Sequence, residues 1–73
     1  MSIIYTRHAL SRMRWRKISK AEIEEVITLP DQKENIGFQR FHYFKAINNR
    51  YLRITLAIED KNFIIISAVQ KKN

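Results

Sequence analysis

Two groups of side chains in this 73-residue chain have the types and spacing to do chemistry. The first is Arg40, His42, Phe44, Tyr51 and Arg53, drawn from two neighbouring segments of alternating pattern. Guanidinium groups grip phosphate with two parallel hydrogen bonds, and aromatic rings stack on bases. A histidine with an ordinary pKa of about 6.5 can take up or release a proton near neutral pH. Together they suit a single strand of nucleic acid. The second group is His8, Arg12 and Arg16, spaced i, i+4, i+8, with Trp15 adjoining. Each group also has an ordinary reading. The first is an exposed sheet face with routine cross-strand neighbours. The second is ion pairing of Arg12 or Arg16 with Glu22 or Glu25, with His8 capping or packing. There is no metal-ligand spacing and no nucleophile motif, and Gly37 is the only glycine, so no Gly-rich phosphate loop exists. Neither a metal nor a cofactor is expected.

The charge is +7, and its layout is uneven. Residues 5–20 carry Arg7, Arg12, Arg14, Arg16, Lys17 and Lys20 with no acid. Residues 21–34 are acidic, through Glu22, Glu24, Glu25, Asp31 and Glu34 against Lys33. Residues 35–58 return to Arg40, Lys45, Arg50 and Arg53 without an acid. Such a chain attracts polyanions, nucleic acid before an acidic protein and an acidic protein before a membrane surface. No stretch approaches the roughly 20 apolar residues of a membrane span. The start, MSIIYTRH, lacks the apolar run and cleavage site of a secretory signal. Without cysteine there is no disulfide. The expectation is a cytoplasmic protein with one domain over residues 1–73.

The elements that must position these residues follow from periodicity. Ser2–Tyr5 reads as a short edge strand. Thr6 reads as the N-cap of a helix running to about Lys17, with Ala9, Leu10 and Met13 on its apolar arc. Ser19 and Glu22 fit a capping box, and Ile23, Val26 and Ile27 form the stripe of a second helix that Pro30 ends. Leu52, Ile54, Leu56 and Ile58 then alternate with Tyr51, Arg53, Thr55 and Ala57, a half-buried strand. Asn48-Asn49 reads as a two-residue hairpin loop, which sets Tyr43 opposite Ile54 and Phe41 opposite Leu56. This register puts Arg40, His42, Phe44, Tyr51, Arg53 and Thr55 on the face away from the core, and a slip by one would bury Arg40 and His42. Phe63–Val69, apolar on both faces, reads as a central strand. The expected class is α+β, with two N-terminal helices packed on one face of a three- to four-stranded antiparallel sheet.

Nearly the whole chain, from TRHALSRMRWRKIS through RYLRI (Arg50–Ile54) to the last strand's FIIISAV, resembles a family of small bacterial and archaeal proteins opening H-A-x-x-R-M-x-x-R-x-I. Here the matching residues are His8, Ala9, Arg12 and Met13, followed by Arg16 and Ile18. That family is grouped with the RelE/ParE-like toxins. The resemblance implies a RelE-like fold and the role of toxin in a toxin–antitoxin pair, with a short acidic antitoxin as partner. RelE-type members cut RNA on the ribosome without a metal, and ParE-type members inhibit gyrase. It carries over Arg53 first, then His8, Arg12 and Arg16. Taken with the composition of the sheet face, the expected catalytic residues of a metal-independent endoribonuclease are Arg53, His42, His8 and Arg12, with Arg16, Arg40, Phe44, Arg50 and Tyr51 binding the RNA. Ser67-Ala68-Val69 stand where relatives often have T-V-Y, so a tyrosine acting on RNA from the last strand is missing. The competing expectation is a module that binds nucleic acid or a partner without chemistry.

Overall fold

A computed structural model describes residues 2–71. The chain runs β1 (Ile3–Tyr5), α1 (Arg7–Arg16), α2 (Lys20–Thr28), β2 (Gln32–Gly37), β3 (Arg40–Ile47), β4 (Arg50–Glu59) and β5 (Asn62–Lys71). The helix boundaries have local causes. Thr6 is extended, and its hydroxyl accepts from the Ala9 amide at 3.1 Å while donating to the Ile65 carbonyl at 2.8 Å. The cap therefore also ties α1 to β5. Lys17 takes the left-handed conformation at φ 55°, letting the Ile18 amide reach back to the Met13 carbonyl at 2.8 Å. Ser19 and Glu22 close the capping box reciprocally, at 3.1 and 2.9 Å. Leu29 leaves helical geometry because the residue before a proline is pushed off it.

The sheet corrects the expected class. It has five strands in the order β1-β5-β4-β3-β2, and β1 pairs with β5 in parallel, so the sheet is mixed rather than antiparallel. The helices do not lead the chain. They follow β1, within the long connection that a parallel pair requires. The fifth strand is β2, an edge strand with all six residues exposed. Its text, QKENIG, carries no apolar alternation because neither of its faces is buried.

The hairpins form as their turns dictate. Asn48 and Asn49 have φ of 50° and 66°, as a type I′ loop demands, and Tyr43 lies opposite Ile54 and Phe41 opposite Leu56. Asp60 and Lys61 repeat the geometry between β4 and β5, at 50° and 67°. Leu56 faces Ile65 but Thr55 faces Ser67, so Ile66 is an extra residue, a bulge. The bulge turns Ala68 inward, which explains why β5 reads apolar on both faces. Leu52, Ile54, Leu56 and Ile65 are fully buried against Ala9 and Met13 of α1 and Ile23 and Val26 of α2. Each large apolar side chain withdrawn from water contributes about 1.5–3 kcal/mol.

Candidate nucleic-acid interface

Alternation along β4 sends Leu52, Ile54 and Leu56 into the core and Tyr51, Arg53 and Thr55 to the opposite face. The buried residues of both helices belong to the inner cluster, so among the described residues no helix covers the outer face. Four cross-strand rows make up that face. The first is Glu34, His42, Thr55 and Ser67, and the second is Gln32, Phe44, Arg53 and Val69. Ala46, Tyr51 and Lys71 form the third, and Arg40, Ala57 and Ile64 the fourth. The hairpin thus brings together the five residues of the first sequence group.

Their contacts give each a distinct part. His42 Nδ1 lies 3.2 Å from Glu34 Oε1, which orients the ring and leaves Nε2 free. The Tyr51 ring stacks on Phe44 with centroids 5.8 Å apart and planes 18° apart, and His42 meets Phe44 edge-on at 6.1 Å. Phe44 is only 9% exposed. Its expected role as a base-stacking contact is corrected: it is the support on which Tyr51 and His42 rest. Arg53, directly opposite Phe44, is half-buried, and its Nε is buried without a hydrogen-bond partner. Arg16 Nη1 and the Tyr5 hydroxyl are buried without a partner in the same way, and each such polar atom in a folded chain calls for a reason. Arg40 is exposed, and neither Arg40 nor Arg53 forms an ion pair among the described residues.

Arg50 is corrected as well. Its guanidinium donates to the Glu22 carboxylate and to the carbonyls of Arg16 and Lys17, at 3.4 and 3.2 Å for the two carbonyls. It fastens the start of β4 to the end of α1 and the start of α2, so its guanidinium is engaged within the fold as a structural pin. Burial pushes the Glu22 carboxyl up, but hydrogen bonds from Arg50 and Ser19 and the Arg50 charge outweigh it and hold the carboxyl below its ordinary value. Lys45 is drawn inward too, donating to the Leu29 carbonyl at 2.8 Å and pairing with Asp31 at 3.5 Å. The Asp31 carboxyl is lowered first by the Ala46 amide, which donates to it at 3.0 Å, and then by the charge and hydrogen bond of Lys45. Of the four cations in residues 35–58, only Arg40 and Arg53 serve the open face.

His8, Arg12 and Arg16 lie elsewhere. They stand on α1, whose Ala9 and Met13 pack against the inner side of the sheet, so the sheet separates them from His42 and Arg53. His8 is exposed, and its Nε2 accepts from Arg12 Nε at 3.4 Å. The expected ion pairs of Arg12 or Arg16 with Glu22 or Glu25 are absent among the described residues, Glu22 being taken by Arg50. The catalytic group read from the sequence therefore divides into two surfaces, with His42 and Arg53 on one and His8 and Arg12 on the other.

Residues 5–70 match a family described as a domain of unknown function, DUF4258. The chain belongs to that family. No curated protein and no solved structure matches it. The DUF4258 match runs from the last residue of β1 through most of β5 and so takes in both surfaces.

Two charged members of the open face, Glu34 and Lys71, are not evident from the sequence. Glu34 belongs to the edge strand without alternation, and only its pairing opposite His42 reveals it. Lys71 faces Tyr51 because the Ile66 bulge shifts the register by one residue. A strict count from the Asp60-Lys61 turn would have put Gln70 there.

Proposed function

We propose that the open sheet face binds a single strand of RNA and cleaves it without a metal, in the manner of an RNA-cutting toxin. The observation that carries this reading is Arg53: a half-buried guanidinium without an ion pair among the described residues, on the same sheet face as the Glu34-oriented His42 and the Tyr51 ring. In the cleavage step, His42 takes the proton of a ribose 2′-hydroxyl and the oxygen attacks the adjacent phosphorus. The bond to the 5′ oxygen breaks, and that oxygen takes a proton from solvent. The products are a 2′,3′-cyclic phosphate and a free 5′-hydroxyl. Arg53 and Arg40 balance the charge that grows on the phosphate, while Tyr51 holds a base.

The toxin part of the reading rests on the resemblance of the sequence, as does an acidic partner that would cover the basic face. No helix among the described residues is long and apolar enough to cross a membrane, and the reading places the protein in the cytoplasm, where RNA and ribosomes are. The test is cleavage of RNA, free and on translating ribosomes, by purified protein in chelator. Cleavage lost with Arg53→Ala and His42→Ala supports the reading. Undiminished cleavage by either variant rejects it. RNA bound but never cut by the parent protein would reduce the function to binding, and DNA damage with RNA intact would point to gyrase.

A further inference from the structure

The sheet face leaves the largest block of positive charge unexplained. Helix α1 carries Arg7, Arg12, Arg14 and Arg16 in ten residues, with no acid. Only Ala9 and Met13 are buried, and a solvent arc remains with Arg7, His8, Ser11, Arg14 and Trp15 exposed and Arg12 on its flank. The arrangement is costly for the helix. Arg12 and Arg16 repel at i, i+4, and Arg7 sits at the positive end of the helix dipole. The acidic helix α2 relieves none of it, since among the described residues no ion pair reaches an α1 arginine.

Trp15 stands in the middle of this charge. It is 77% exposed, and the Arg16 guanidinium lies 5.9 Å from its ring centroid. Burial accounts for neither the tryptophan nor Arg7 and Arg14, while Arg12 and Arg16 are half-buried. We infer that the solvent arc of α1 is a second nucleic-acid surface, on which Trp15 stacks an unpaired base while Arg12 and its neighbours take the flanking phosphates. Two features favour nucleic acid over an acidic protein segment. Planar guanidinium groups grip phosphate, and a flat exposed ring among cations is the arrangement that holds bases. His8 contributes by accepting from Arg12 Nε, which fixes the side chain with its terminal nitrogens free.

This inference does not rest on the sheet reading. The arc faces away from the sheet, and the shortest Cα extent of the molecule is 19 Å. A strand lying on the open face cannot also lie along α1, so α1 takes a different segment. A protein built this way grips a large RNA at two places.

Trp15 is the only tryptophan, so its emission reports on this surface alone. The intact protein is titrated with a short oligouridylate while Trp15 emission is followed at several salt concentrations. Emission should be quenched along a saturable curve. Arg12→Gln should reduce the slope of log K against log salt by about 0.7, the share of one phosphate contact on a single strand. Trp15→Ala, followed with an end-labelled probe in the Arg53→Ala background, should weaken binding about 5- to 150-fold. Arg53→Ala alone should leave the quenching curve in place, which separates this surface from the open face. The inference is overturned if emission stays unchanged as the oligonucleotide saturates, or if Arg12→Gln matches the parent slope. Equal quenching by inorganic polyphosphate would remove the stacked base, and equal quenching by polyglutamate would remove nucleic acid as the ligand. Circular dichroism melts confirm that all three variants are folded.

Discussion

Glu34 and His42 are direct cross-strand partners on β2 and β3, joined through His42 Nδ1 and Glu34 Oε1 at 3.2 Å. A carboxylate in that position accepts the Nδ1 proton of the neutral ring and so fixes its orientation. On the proposed reading, Nε2 is then the atom that meets the RNA.

Glu34→Gln therefore lowers the cleavage rate without touching the fold, because β2 is exposed along its whole length. His42→Ala removes proton transfer and costs about 10²–10⁴-fold, while binding of uncleaved RNA stays near the parent value. Single-turnover cleavage and binding of a 2′-deoxy probe, measured side by side, check both expectations. Loss of binding in step with loss of cleavage would mean that His42 only holds the strand.

Arg50→Ala should destabilise the protein and spare RNA binding. The variant loses a half-buried, charge-assisted contact to Glu22 and leaves the carbonyls of Arg16 and Lys17 without their donor. Hydrogen bonds to charged groups are worth about 1.5–3 kcal/mol, and each kcal/mol lowers Tm by about 4–8 °C in a domain of this size. Thermal melts, with RNA affinity measured below the transition, test the assignment. A stable variant that no longer binds RNA would restore Arg50 to the interface.

The depressed carboxyl of Glu22 makes a second prediction about the same pin. A carboxyl whose folded pKa lies below its unfolded value, about 4.3, contributes stability above that value and loses it as pH falls through the folded pKa. Asp31 acts in the same sense through the Ala46 amide and Lys45. Tm should thus hold near neutral pH and fall on acidification below about pH 4–5. Glu22→Gln, which can still fill the capping box, should melt lower at pH 7 and show a flatter acid limb. An unchanged acid limb would remove Glu22 from the linkage.

What the sequence reveals here is local. The Ser19–Glu22 box, the Asn48-Asn49 loop and the alternation of β4 each depend on residues within about ten positions, and each forms as read. What stays hidden depends on distant partners. The three-residue β1 owes its place to parallel pairing with β5 across the whole chain, and polar β2 owes its place to pairing with β3 rather than to burial. The same holds within the site. Arg50 looks like Arg53 in the text, and only the return of α1 and α2 to the start of β4 separates a pin from an open cation.

Chemical-shift mapping by NMR, with a non-cleavable 2′-deoxy oligonucleotide added to the folded protein, tests the central claim most directly. The backbone and side-chain signals of Arg40, His42, Tyr51 and Arg53 should move together with increasing ligand, and Arg53→Ala should abolish their shifts. If those four residues stay still while the oligonucleotide binds, the open face of the sheet is not where the strand lies.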